Sequence, residues 1–302
     1  MAELSIGDAV GSGFGVIRRH PAAVLIWGLL YMAAWGANFA VVAPTDLAML
    51  AELARNAASH APTPDMSNFG QMQAMDLLLS FVSVFVFTVL SCAVFRTLIH
   101  PDQSRFGYLR LGMTELMLFL VFVGGYIAFV VAAVILMIPV AIVVGLLVAR
   151  HATAAAVIVG LLLAVGAVWA LGYVALRFCM VGPMMVDDGR LRLSDTWALT
   201  KGKAGALFLI ALCLFGMLIL LELVVGVAMI IGFSVLSGGA DPTSWIPALL
   251  RQPPAAVLSR LAPIIIIAGV AGIPLNGAFL AIFSAPWARA YLDFRVRPAA
   301  VS

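Results

Sequence analysis

R-F-C-M-V-G-P-M-M-V-D-D-G-R-L-R-L-S-D-T-W-A-L-T-K-G-K, residues 177–203, separates two long apolar runs and carries five of the chain's 17 Lys and Arg. Basic residues next to a membrane helix stay on the cytoplasmic side during insertion, so this segment reads as an inner connection between the runs 152–176 and 204–236. Working outward, the remaining apolar runs are 22–43, 77–95, 116–149 and 261–288. Thirteen of the 17 bases then fall in alternate connections: Arg18, Arg19, Arg96, Arg105, Arg110, Arg177, Arg190, Arg192, Lys201, Lys203, Arg289, Arg295 and Arg297. Arg55, Arg150, Arg251 and Arg260 make up the other set. Six crossings with both termini inside satisfy this division.

Composition agrees. Hydrophobic residues make up 64% of the 302 and charged residues 10%, against roughly 45–50% and 25% in soluble domains. Each run can cross about 30 Å of hydrocarbon, which takes about 20 helical residues. The runs are apolar on all sides, unlike the alternating strands of a membrane barrel. Without water to satisfy the backbone, helices are the solution. The expected fold is an all-α integral membrane protein, one polytopic domain over residues 1–302. The first run continues to Ala43, past the length of a cleavable signal core, and is read as a retained span.

Runs 116–149 and 204–236 would each measure about 50 Å as straight helices, so tilt or protruding ends must absorb the excess. Pro139 is expected to kink the first of them. Pro263, Pro274 and Pro286 are expected to leave irregular backbone near the middle of the last run. Of the outer loops, residues 45–58 are helix-prone, and Asp241 with Pro242 would start a short surface helix through Trp245. A net charge of +3 is no nucleic-acid signature. Thirteen bases against eight acids leave the inner face at +5, which suits a surface facing anionic headgroups.

Three inner segments look alike. Residues 5–19 put Ile6, Val10, Phe14 and Ile17 on one face, with Ser5 and Asp8 as a capping pair. Residues 104–111 set Phe106, Tyr108 and Leu109 between Arg105 and Arg110, with Leu111 directly after. Residues 194–201 have Ser194 as N-cap and Trp197 and Leu199 as apolar anchors, with Gly202 as a stop. Each is expected to be an interfacial amphipathic helix leading into an odd-numbered span, which reads as a triplicated unit of interfacial helix, span, loop and span. Gly7, Gly11 and Gly15 recur every fourth residue, a spacing that permits close helix contact but equally makes a weak, flexible helix; the second reading is preferred.

Chemistry-bearing residues are few. Glu222 is the one formally charged side chain inside an apolar run, and its desolvation cost places it toward the bundle interior or a wet cavity. Asn276, after Pro274, is its expected partner, and Asn38 is the other strong polar group in the runs. His20, His60, His100 and His151 form no metal-ligand pattern. Cys92, Cys179 and Cys213 lie in or beside apolar runs and read as packing residues. No nucleophile, base and orienting group assemble, and no phosphate-cradling loop appears. The reading is a non-enzyme without cofactor or metal. The basic segment Arg177, Arg190, Arg192, Trp197, Lys201 and Lys203 is the candidate contact for anionic lipid.

The order of residues 177–202 resembles the membrane domain attached to some bacterial glycerophosphoryl diester phosphodiesterases and its stand-alone integral-membrane relatives. The matching positions are Arg177, Pro183, Val186, Asp187, Gly189, Trp197, Leu199, Thr200 and Gly202. Thr196 stands where the family usually has Ser, and the specific match covers little more than a tenth of the chain. The resemblance implies a six-span protein of a bacterial cytoplasmic membrane that keeps the membrane part and lacks the separate catalytic barrel of about 250 residues. The expected function is non-enzymatic binding of inner-leaflet lipid, or of a membrane-protein partner or second copy. The alternative is a small secondary transporter using Glu222 beside a broken sixth span.

Overall fold

The computed structural model describes residues 5–59, 69–236 and 252–295, and among them it contains helices and turns but no strand. Six helices are long and apolar enough to cross a membrane, within Pro21–Met49, Gln73–Ile99, Arg105–Ala149, Thr153–Asp188, Ala204–Gly232 and Ala255–Arg295. These are the six runs of the sequence. The chain is a multi-pass membrane protein. The expected surface helix begun by Asp241 and Pro242 lies outside the described residues.

In chain order the helices are α1 (Ile6–Arg19), α2 (Pro21–Ser59), α3 (Phe69–Ile99), α4 (Met113–Ala149), α5 (Thr153–Phe178), α6 (Val181–Asp188), α7 (Leu193–Leu199), α8 (Ala204–Leu236) and α9 (Pro254–Arg295). A 3-10 turn, Arg105–Tyr108, stands between α3 and α4. At 42 residues, α9 is about 63 Å long, twice the hydrocarbon thickness, so its ends pass beyond the bilayer core. The helix-prone segment 45–58 simply extends α2 through Pro44.

α9 is the hub, packing on α1, α2, α3, α6 and α8. Its prolines do not break it: the helix is continuous through Pro263, Pro274 and Pro286, contrary to the irregular mid-span backbone expected. Close support explains this. A Cβ built on Gly28 would collide with the Ile273 carbonyl, and one on Gly277 with the Val24 carbonyl. The backbones of α2 and α9 therefore touch at a glycine crossing, as small residues allow between membrane helices.

α1 packs along α9 as well. Ser5 caps it, its Oγ accepting from Asp8 N at 3.2 Å. The buried stripe is Ala9, Gly13 and Val16, not the expected row of Ile6, Val10, Phe14 and Ile17. Phe14 is 52% exposed. Gly13 decides this register, since a Cβ there would sit 2.5 Å from Ile282 Cα. Gly7, Gly11 and Gly15 make no such contact.

Residues 104–111 do not form an amphipathic helix. Phe106, Gly107 and Tyr108 all have positive φ (51°, 65° and 65°), and a run of left-handed residues cannot continue a right-handed helix. The strain is held from three sides. Trp27 Nε1 donates to the Gly107 carbonyl at 2.8 Å, and Arg96 Nη1 donates to the Tyr108 carbonyl at 3.3 Å. Arg96 Nη2 pairs with Glu115 Oε1, and Glu115 Oε2 accepts from Gly112 N at 3.0 Å. Both side chains are buried, so the pair locks the C-terminal end of α3 to the N-terminal end of α4.

The well-packed core is concentrated at this basic end, among α1, α6, the last turns of α3 and the second half of α9. Elsewhere the long helices expose Leu, Ile, Val and Phe in continuous rows, the surface expected of a helix facing lipid.

Candidate functional site

Where α5 passes α3 and α9 the helices stand apart and leave a cavity of about 1090 Å³. Phe87, Ser91 and Phe95 of α3 and Phe283, Ser284 and Trp287 of α9 form one wall, and Val165, Val168, Trp169, Gly172, Tyr173 and Leu176 of α5 form the facing one. Gly182 of α6 and Ala204, Gly205 and Phe208 of α8 close the basic end. The lining is almost wholly apolar. The hydroxyls of Ser91 and Ser284 are turned on each other at 3.5 Å. Val165, Val168 and Trp169 line the space yet are 59%, 71% and 63% exposed, so it opens sideways along α5 and is not a sealed void.

The sequence carries one signal of this site. Trp169, Tyr173 and Arg177 recur every fourth residue and so share one face of α5. Trp169 meets Phe208 edge-on at 5.5 Å, and Tyr173 meets Trp197 of α7 at 6.5 Å. The Arg177 guanidinium lies over the Trp197 ring, 4.5 Å from its centroid, with Tyr173 at 5.9 Å. Small residues supply the rest of the space, since a Cβ on Gly172 or Gly205 would meet nothing within 4 Å.

The segment 177–203 folds as one brace around that guanidinium. α6 is buried along most of its length, including Pro183 and Val186. Gly189 ends it in the left-handed conformation, φ 66°, and Gly202, φ 75°, turns the chain from α7 into α8. Both positions suit glycine, which lacks the Cβ penalty there. Asp187 accepts from Tyr291 Oη at 2.7 Å and from Arg295 Nη1, tying α6 to α9. Thr200 Oγ1 lies within hydrogen-bond distance of the carbonyls of Arg177 (3.2 Å) and Thr196 (2.9 Å) and ties α7 to the end of α5. Arg192, not Ser194, is the N-cap of α7.

The remaining sequence candidates scatter. Arg190, Arg192 and Lys201 are exposed, and Arg192 pairs with Asp188 and Asp195 at 4.0 and 3.6 Å. Lys203 Nζ stands 4.0 Å over the Phe294 ring. Glu222 is exposed on α8, away from the cavity lining, whereas its cost in lipid had pointed inward. Asn276 does not meet it: Asn276 Nδ2 donates to Met32 Sδ at 3.1 Å and to the Gly272 carbonyl at 2.9 Å, closing a polar contact between α9 and α2. Asn38 is half-buried on α2. Among the described residues no three His, Cys, Asp or Glu group into a metal-holding cluster. Cys92, Cys179 and Cys213 are free thiols. No family model, curated protein or solved structure matches this chain.

Proposed function

We propose that this is a non-enzymatic lipid-binding protein of a bacterial cytoplasmic membrane, both termini cytoplasmic, whose side-opening cavity holds an acyl chain. The observation that carries the reading is the cavity: about 1090 Å³, just above the roughly 300–1,000 Å³ of small-molecule sites, with apolar walls. Water gains no partners against such walls, and apolar cavities stay dry or take apolar guests. The nearest apolar guest is the bilayer itself. The basic, aromatic segment 177–203 lies at the end of the cavity where headgroups of the inner leaflet would stand, and the resemblance of that segment to membrane domains without their barrel supports the same role.

The test fills the cavity from within. Gly172→Phe and Gly205→Phe each add a ring at a lining position whose Cβ meets nothing within 4 Å, and a thermal unfolding curve matching wild type checks that each variant folds. Native mass spectrometry of protein released from membranes in mild detergent then counts the lipid retained per chain. Wild type keeps at least one lipid, and each variant loses it. Equal retention by wild type and both variants overturns the proposal.

A further inference from the structure

In a bilayer, burying an acyl chain in this cavity earns little by itself, because neighbouring lipid tails offer the same apolar surroundings. Selection among lipids must come from a polar contact at the cavity's end. Arg177 lies behind that end, in the last turn of α5, where its neighbours and not Arg177 itself form the wall. It is 3% exposed, and its position on α5 is flanked by Tyr173, Leu176 and Cys179, all of which line the cavity. A guanidinium is always charged and carries five N–H donors in one plane. Stacking on Trp197 occupies its face, not the edge of the plane that carries those donors. Among the described residues no carboxylate pairs with it, and its buried Nε has no acceptor at all. Arg96 is the internal comparison: also an arginine at the inner end of a span, also buried, it meets both Glu115 and a backbone carbonyl.

Resting on the lipid-binding reading above, we infer that Arg177 is the receptor for an anionic oxygen, phosphate or carboxylate, at the head of the molecule whose acyl chain fills the cavity. Planar paired donors match the two oxygens of such a group. The ring of Trp197 holds the guanidinium in place for it. Trp197 in turn sits on α7, a seven-residue helix fixed between the left-handed glycines 189 and 202.

The test uses the full chain in mild detergent and native mass spectrometry with four probes: dioleoyl phosphatidylglycerol, dioleoylglycerol (the same chains without the phosphate), oleic acid and inorganic phosphate. Wild type is expected to prefer phosphatidylglycerol over dioleoylglycerol by about tenfold or more, the worth of one hydrogen bond to a charged group. Arg177→Gln removes the preference but still retains dioleoylglycerol, and Arg177→Lys keeps part of it. Arg190→Gln/Arg192→Gln, both exposed, leaves it unchanged. Displacement of phosphatidylglycerol by oleic acid assigns the site to any anionic amphiphile. Displacement by inorganic phosphate alone would mean that the anion site does not need the chain, and would overturn the inference as stated. No anionic preference in wild type overturns it too, whether or not the Gln variant folds. Where the Gln variant fails to fold, Trp197→Leu frees the guanidinium face and must cut the preference, and an unchanged preference there refutes the role of Arg177. Retention of lipid without anionic preference would leave the cavity reading standing and remove only Arg177.

Discussion

Glu115→Leu strands a buried guanidinium. Arg96 keeps only its 3.3 Å contact with the Tyr108 carbonyl, and the Gly112 N–H loses its acceptor as well. Breaking a buried ion pair from one side costs about 3–5 kcal/mol, because the remaining charge is left without compensation. With both residues at least nine-tenths buried, the full range applies, and the surviving carbonyl contact puts the expected loss near its lower end, about 3 kcal/mol. Arg96→Met should cost a similar amount. The double variant removes both charges, and replacing a buried pair by apolar side chains is often neutral or stabilising by about 1–4 kcal/mol, so it should recover most of the loss. The assay is unfolding in mixed micelles with a rising fraction of sodium dodecyl sulfate, followed by tryptophan fluorescence. A double-mutant cycle then yields the coupling. Single variants that each cost under about 1 kcal/mol, or a double variant that simply sums them, would refute the claim that this pair locks α3 to α4.

Gly28→Leu should destabilise the bundle by at least the 1–3 kcal/mol typical of overpacking, since its Cβ meets the Ile273 carbonyl and backbone cannot move aside; Gly36→Ala, with open space around it, is the neutral control in the same unfolding assay. Trp27→Phe loses the donor to Gly107 and should cost about 1 kcal/mol, with faster proteolysis of the 105–108 turn as the visible sign. Glu222→Gln should leave lipid retention unchanged, because the carboxyl stands apart from the cavity; a proton-linked flux in liposomes that vanishes with this substitution would restore the transporter reading. A cysteine at Ser194 should react with an impermeant reagent only from the cytoplasmic side, and reaction from outside would invert the topology.

The six spans were legible because lipid imposes one rule on every residue of a run, and composition alone reports it. Some caps were legible too: Ser5 starts α1 and Gly202 turns the chain after α7, whereas Arg192 and not Ser194 caps α7. What hydropathy lacks is phase. A uniformly apolar helix does not declare which side faces lipid, which is why Glu222 was expected inside and stands outside. The stripe of α1 slipped to Ala9, Gly13 and Val16 because the partner helix, not the size of the side chains, chose the face. Phe106 in a left-handed turn ran against local propensity, and only the contacts of Trp27 and Arg96 explain it. Arg96 and Glu115 lie 19 residues apart, a separation that no periodicity pairs. The cavity was least legible of all, since it is made by helices that fail to touch. Its one trace was the four-residue spacing of Trp169, Tyr173 and Arg177.

The central claim is that an acyl chain occupies the space between α5 and the α3–α9 wall. A phosphatidylglycerol carrying a diazirine in its acyl chain, incorporated in nanodiscs with the protein and photolysed, reads this directly, with the labelled residues found by peptide mass spectrometry. Label is expected on Phe208, Trp287 and Phe87, and its loss from all three in Gly172→Phe. Label confined to outward-facing positions such as Val157, Val224 and Ile230, with none on the cavity wall, would contradict it.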